Sequence, residues 1–158
     1  ELRIMEVQPD NYGEWLSDCG RWDWWFTGTF EYDAPMATAR HAMDHLLDKF
    51  NPDRAFYAIE STERWWSVDC GGEGEQVSTE GSNVHVHAVI EVGEDGPSPH
   101  DGEDFWEARF GWALVEEYDP DEGCAHYVTK YATKDLLGDR SSWNVYTSDG
   151  EGWDDVPF

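Results

Sequence analysis

Short apolar stretches alternate along the chain with segments rich in Gly, Pro and Asp, and the apolar periodicity predicts the secondary structure. Alternating or continuous apolar residues, many of them aromatic or β-branched, indicate strands. Apolar positions that recur every three and four residues indicate helices, most clearly in "MATARHAMDHLLDKF" at 36–50. The predicted strands are 21–30, 54–60, 83–91, 111–119 and 142–147, and the predicted helices are 36–50, a short one near 105–110, and 124–137.

The order of these elements predicts the fold class. The strands at 54–60 and 83–91 are joined by the polar, Gly-rich segment "CGGEGEQVSTEGS" at 70–82, which we interpret as a hairpin loop. Strands joined in this way pair antiparallel, and each amphipathic helix has one apolar face to bury against them. Neither an internal repeat nor a long linker divides the chain. We therefore expect one α+β domain over 1–158, an antiparallel sheet with helices mainly on one face.

The charge of the chain changes the expected environment rather than the fold. Asp and Glu number 35 against 10 Lys and Arg, which gives a net charge of -25. Aromatic residues make up 15% of the chain and include ten tryptophans, so a packed core is expected despite the charge. Repulsion among the carboxylates opposes compaction at low ionic strength, and at molar salt a Debye length of ~3 Å screens it. We hypothesise a cytoplasm that holds molar salt.

Neither a membrane span nor a secretion signal is recognisable in the sequence. No stretch approaches the roughly 18 apolar residues of a membrane span, and "ELRIMEVQPD" at 1–10 lacks a signal-peptide pattern. Cys19, Cys70 and Cys124 are far apart and odd in number, unlike a disulfide framework or a pair of CxxC zinc ligands. We expect a cytoplasmic protein with reduced thiols and no membrane partner.

Two histidines in the predicted strand "NVHVHAVI" at 83–90 are the first candidates for chemistry. His85 and His87 are two residues apart, so in a strand both project from the same face, while Val84, Val86 and Ala88 project toward the core. Side-by-side imidazoles can chelate one divalent ion. The same spacing also occurs in histidines that merely line a polar sheet face, and the pair alone does not decide between these interpretations.

A third ligand is expected on the neighbouring strand. Pairing of 54–60 with 83–91 brings Glu60 near the two histidines, and Glu60 ends an apolar run, where an unpaired carboxylate is costly. Two nitrogens and one oxygen, with open positions, suit Mn²⁺ or Mg²⁺ holding a phosphate. Glu63 is a weaker candidate for the same role, and a solvated strand end is the alternative interpretation of Glu60.

The predicted last helix contains the sequence "HYVTKYATKD" at 126–135, which combines two phenols with two ammonium groups. Tyr127 and Tyr131 are four residues apart, as are Lys130 and Lys134, so each pair shares a helix face. These are two of only three lysines in the chain, which indicates a local need for positive charge. A tyrosine with its ordinary pKa of ~10 is a weak nucleophile, and a metal-polarised phosphate with a nearby ammonium would activate it. Core tyrosines beside solvated lysines are the alternative.

Other histidines, tryptophans and arginines are secondary candidates. His41 and His45 have the i, i+4 spacing of a helical metal pair, but Ala42 stands where the HExxH motif has Glu. His100 and His126 are isolated and are expected in a loop and on a helix surface. Candidates for contact with nucleic acid are Trp65 and Trp66, which could stack on bases, and Arg40, Arg54, Arg64, Arg109 and Arg140, which could form a cationic track.

Three segments, in this order, resemble the motifs of the HUH endonuclease superfamily: "FTGTF" at 26–30, "NVHVHAVI" at 83–90 and "YVTKYATKD" at 127–135. Within that superfamily the chain looks most like the two-tyrosine rolling-circle replication initiators (Rep proteins) of small viruses and plasmids, here of a halophilic replicon. The resemblance spans about 22–137. Each motif is modest alone, whereas their order and spacing are more specific.

The resemblance implies a fold and a set of site residues. The fold is ferredoxin-like, with a five-stranded antiparallel sheet, the histidines on a central strand and the tyrosines on a facing helix. His85, His87 and Glu60 would bind the metal. Tyr131 would be the nucleophile and Tyr127 the second one. The lysines of the motif, Lys130 and Lys134, would orient the phosphate or neutralise its charge, and "FTGTF" would be mainly structural.

The resemblance also implies an activity and partners. The activity is metal-dependent nicking and ligation of single-stranded or hairpin DNA at a replication origin, through a 5′-phosphotyrosine intermediate and a free 3′-OH. A host helicase and polymerase would be further partners. Two alternatives remain open from the residues alone: a non-catalytic nucleic-acid-binding domain, and a metal-dependent phosphoesterase that forms no covalent intermediate.

Overall fold

A computed structural model of the chain describes residues 10–61, 65–68, 75–78, 84–125, 128 and 143–150. The helices are α1 (Asp10–Asp18), α2 (Met36–Phe50) and α3 (Pro99–Glu107). The strands are β1 (Trp24–Gly28), β2 (Arg54–Ser61), β3 (Trp65–Val68), β4 (Glu75–Ser78), β5 (Val84–Glu91), β6 (Ala113–Glu117) and β7 (Trp143–Thr147). A short 3-10 helix, Pro120–Glu122, precedes helical backbone at Cys124, Ala125 and Val128.

Five of the strands form one antiparallel sheet in the order β6-β1-β5-β2-β7. The segments β1-α2-β2 and β5-α3-β6 are split βαβ units, because in each a helix connects two strands that have another strand between them. This is the ferredoxin-like arrangement with β7 added beside β2. The predicted α+β class and the five-stranded antiparallel sheet are confirmed. The strands β3 and β4 form a separate two-stranded sheet.

The central strand β5 is buried along most of its length because helices pack against both faces of the sheet. Val84, Val86, Ala88 and Ile90 belong to the cluster of buried residues beneath α2 and α3. Val89, on the opposite face, packs in a second cluster with Leu16 of α1 and with Ala125 and Val128. The alternation that we predicted for this strand is therefore present, and the histidines are on the face of the second cluster.

Helix α2 has the predicted bounds because its apolar stripe and its end signals agree. Its buried residues are Ala39, Ala42, Met43, Leu46 and Leu47. The helix ends at Asn51, whose left-handed backbone (φ 43°) places its N–H on the carbonyl of Leu47. At 15 residues it is the longest helix that the structure describes, and none of the described helices is long and apolar enough to cross a bilayer.

Three differences from the predicted elements have local physical causes. The helix expected near 105–110 begins earlier, at Pro99, because Ser98 and Asp101 form a capping box around that start. The Gly-rich segment expected to be a plain hairpin loop contains β4, which pairs with β3. Helix α1 was not predicted, since its nine residues are too few to establish a helical period.

Two of the three cysteines lie among the described residues. Cys19 and Cys124 are both free thiols. Burial raises the pKa of Cys19 to about 11, although the charge of Arg54 acts against this, and burial also raises the pKa of Cys124. Neither thiol is a ready nucleophile at neutral pH. Cys70 lies outside the described residues.

Gly28, the central residue of "FTGTF", is required by close packing across β1. A Cβ built at Gly28 would lie 2.7 Å from ring atoms of Trp106 and 2.8 Å from the ring of Phe26. Trp106 is fully buried, and its indole N–H donates to the Thr29 carbonyl at 2.8 Å, so the ring cannot easily move away. We expect Gly28→Ala to reduce the free energy of unfolding by about 1–3 kcal/mol, as overpacking typically does, measured by denaturant titration. Unchanged stability would contradict this account of the motif.

Candidate metal and phosphate site

The register of the central strands places the three predicted metal ligands at neighbouring positions on one face of the sheet. Glu60 on β2 is directly opposite His85 on β5, and His87 is opposite Ala58. His85 and His87 project from one face with ring centroids 6.4 Å apart. This placement follows from the sequence because the alternate residues of β5 must face the core, which leaves the histidines on the other side.

Glu60 and His87 are in direct contact. Oε2 of Glu60 lies 3.1 Å from Nε2 of His87, and the side chains are 21% and 6% exposed. Burial lowers the pKa of His87, while the hydrogen bond and charge of Glu60 act in the opposite direction. A neutral His87 therefore donates its Nε2 proton to the carboxylate at neutral pH, and neutral imidazole is the form that binds metals.

Two residues of β1 also contact His87, and neither is among the predicted site residues. Thr27 is directly opposite His87, with its Oγ1 3.4 Å from Nδ1. The ring of Trp25 is stacked on the imidazole, with an interplanar angle of 10° and centroids 5.9 Å apart. The signal was present in "WWFTG", because Trp25 and Thr27 share a face in any strand that includes them.

His87 opens into a cavity of about 310 Å³ that is also lined by Trp25, Thr27, Glu122 and Cys124. Cys124 begins the helical backbone that continues through Ala125 and Val128, both buried in the cluster on the histidine face. The start of the predicted last helix is therefore on the same side of the sheet as His87. The four residues of that helix expected to act on phosphate, Tyr127, Lys130, Tyr131 and Lys134, lie outside the described residues.

The donor atoms fit a divalent ion chemically, but the described side chains do not form a closed cage. Two imidazoles and a carboxylate on one face supply two nitrogens and one oxygen, and leave positions open for other ligands. In the part of the chain that the structure describes, no three His, Cys, Asp or Glu side chains are grouped closely enough to enclose a metal. An ion at this position would replace the proton between His87 and Glu60, since Nε2 of His87 and Oε2 of Glu60 would both bind the ion instead.

The rival histidines lie elsewhere in the fold. His41 and His45 are exposed on α2, on the other side of the sheet from His87, and within the described ranges no third ligand joins them. His100, expected in a loop, is in the first turn of α3 and lies 3.3 Å from a carboxylate oxygen of Glu103. His126 lies outside the described residues.

The proposed cationic track does not form from the arginines whose side chains are described. Arg54 is at the far end of β2 from Glu60 and donates to the Cys19 carbonyl at 2.5 Å. Arg109 lies over the ring of Phe105, 4.1 Å from its centroid, and Arg40 is on α2. Arg64 and Arg140 lie outside the described residues, and for Trp65 and Trp66 only the backbone, in β3, is described.

No protein-family model, no curated protein and no solved structure matches the chain. What the site can do must therefore be inferred from its own residues and their positions.

Proposed function

We propose that this chain is a metal-dependent nickase and ligase of single-stranded DNA, of the HUH replication-initiator type. The observation that carries the proposal is the placement of His85, His87 and Glu60 on one face of a ferredoxin-like sheet, on paired strands and beside Cys124, where the predicted last helix begins. The three motifs that resemble the superfamily add support, because the first contains residues 26–28 of β1 and the second contains residues 84–90 of β5, and these two strands pair with each other.

The residues of the site divide into metal ligands and supporting groups. His85, His87 and Glu60 would hold Mn²⁺ or Mg²⁺, and a divalent ion supplies polarisation of a nonbridging phosphate oxygen. Thr27 fixes the orientation of the His87 ring from the Nδ1 side. Trp25 is stacked on the same ring in an offset arrangement and limits its rotation.

The tyrosines and lysines of the predicted last helix, 124–137, would carry out the reaction. The hydroxyl oxygen of Tyr131 attacks the scissile phosphorus, and the bond from phosphorus to the 3′ oxygen breaks. The phenol loses its proton, and the departing 3′ oxygen gains one to become the free 3′-OH. The products are a 5′-phosphotyrosine and a free 3′-OH, which can later reverse the step and reseal the strand. Tyr127 serves a second cleavage, and Lys130 and Lys134 stabilise charge on phenolate and phosphate.

The covalent intermediate distinguishes this function from its alternatives. A pool of end-labelled hairpins with randomised single-stranded loops is incubated with the protein and Mn²⁺, then separated on a denaturing gel. We expect a protein–DNA adduct that requires Mn²⁺ and is lost when Tyr127 and Tyr131 are both replaced by phenylalanine. The matched control is Tyr32→Phe, which removes an exposed phenol outside the motif.

Each contrary result of that assay favours a different class of protein. Cleavage without an adduct would indicate a phosphoesterase that uses water. Binding without cleavage would indicate a non-catalytic nucleic-acid-binding domain. A full adduct yield from Tyr131→Phe alone would move the main nucleophile to Tyr127.

A further inference from the structure

Large apolar side chains are exposed at the edge of the sheet that lies next to the histidine site. Trp112 and Leu114, which we call the edge platform, are 54% and 38% exposed. They alternate with Ala113 and Val115, which are buried in the cluster beneath α2 and α3. The edge platform therefore protrudes from the opposite face of the sheet, which is the face of His87.

The edge platform is continuous with the candidate site through the strand register. Thr27 on β1 is directly opposite both Leu114 on β6 and His87 on β5, so the three residues form one row across adjacent strands. With strands ~4.8 Å apart, the backbone of Leu114 is about 10 Å from that of His87. Trp112 continues the same edge, where its carbonyl accepts hydrogen bonds from the backbone N–H and the hydroxyl of Thr29.

We propose that the edge platform is the surface on which unpaired bases of a single-stranded nucleic acid stack as the strand enters the site. An indole ring accepts any base by stacking. Glu116 and Glu117 are exposed on the same strand, so contact with this edge must come from the bases and not from the phosphates. The faces of bases are uncharged, and their phosphates can point away from the carboxylates. The row of Leu114, Thr27 and His87 joins the edge platform to the candidate phosphate site, so the strand that the site would cleave is a better occupant than a second copy of the chain.

The inference rests on the proposed function for the identity of the strand, and its test is independent of the cleavage chemistry. Binding of fluorescently labelled oligothymidylate is measured by anisotropy in 1 M KCl with a chelator present, so that no metal-dependent step occurs. At that salt concentration phosphate contacts contribute little. We expect Trp112→Ala to weaken binding by roughly 5- to 150-fold, the range for losing one base–aromatic stack, and Trp112→Phe to restore most of it.

A matched ligand separates base stacking from phosphate binding. An abasic oligonucleotide of the same length should bind the wild-type protein as weakly as oligothymidylate binds Trp112→Ala. Equal binding of both oligonucleotides, or unchanged binding by a Trp112→Ala protein whose thermal melt is normal, would overturn the proposal. Sedimentation that shows a dimer which Trp112→Ala dissociates, without any effect on oligonucleotide binding, would also overturn it and would assign the edge to self-association.

These outcomes are distinguishable from failure of the proposed function. If oligothymidylate binding depends on Trp112 but no covalent adduct forms with Mn²⁺, the stacking proposal is supported and the nickase proposal is wrong. If the adduct forms normally and Trp112 contributes nothing to binding, the nickase stands and the edge platform does not.

Discussion

Replacement of His87 by alanine is expected to lower the affinity for Mn²⁺ by at least roughly 100-fold, measured by isothermal titration calorimetry in molar KCl. Loss of a residue that merely orients a metal ligand typically costs 10- to 100-fold, so loss of a ligand itself should reach or exceed the upper end of that range. The expectation follows from the geometry, because His87 links Glu60, 3.1 Å away, to the β1 residues that hold its ring.

Two histidines away from the candidate site provide matched controls for this substitution. His41→Ala and His45→Ala remove exposed imidazoles from α2 and should leave Mn²⁺ affinity unchanged. Since His87 is buried, its loss also affects packing, so His85→Ala, at a half-buried position, provides a second variant whose folding is easier to retain. If both His85→Ala and His87→Ala bind Mn²⁺ as tightly as the wild-type protein, the assignment of the metal to this face is wrong.

The melting temperature is expected to rise by about 10 °C or more between 0.1 M and 3 M KCl. The 35 carboxylates face only 10 basic residues, so the folded state concentrates negative charge that salt must screen. For a chain of this size, a rise of 10 °C in the melting temperature corresponds to a gain of roughly 3–5 kcal/mol in the free energy of unfolding. That gain would come from the screening of many weak repulsions. Glu91 is a local example of this crowding. Burial is the main cause that raises its pKa, the charge of Arg54 acts in the opposite direction, and the charges of Asp53 and Asp23 raise it further.

A non-ionic osmolyte separates screening from general exclusion of solutes. Sucrose at matched osmolality favours compact states but does not screen charge. The charge account predicts a much smaller rise in sucrose than in KCl. Equal rises in the two solutes, or a melting temperature that does not depend on KCl, would contradict it.

The strands, and the sheet face that contains the histidines, could be predicted because the alternation of apolar and polar residues specifies both. In β5 the same alternation that buries Val84, Val86 and Ala88 also places His85 and His87 on one side. The register then brings Glu60 opposite His85 without any further information. Helix α2 was predictable to the residue because its apolar stripe, its preceding proline and its terminal Asn51 agree.

The remaining features depend on contacts that a one-dimensional pattern does not contain. Thr27 and Trp25 act on His87 only because β1 pairs with β5 in one particular register. The edge platform could not be predicted, since Trp112 and Leu114 read as ordinary core residues until β6 is placed at the sheet edge. Helix α1 depends on tertiary packing of Leu16 and on the bond from the Trp22 indole to its carbonyl, at 2.6 Å.

Peptide mapping of the covalent product is the most direct test of the central claim. The protein is incubated with single-stranded hairpin DNA and Mn²⁺, denatured, digested with nuclease and protease, and analysed by mass spectrometry. The account predicts a peptide spanning 127–135 that carries a nucleotide through a phosphodiester to Tyr131, with a smaller fraction on Tyr127. Cleaved DNA with a free 5′-phosphate and no modified tyrosine would contradict it.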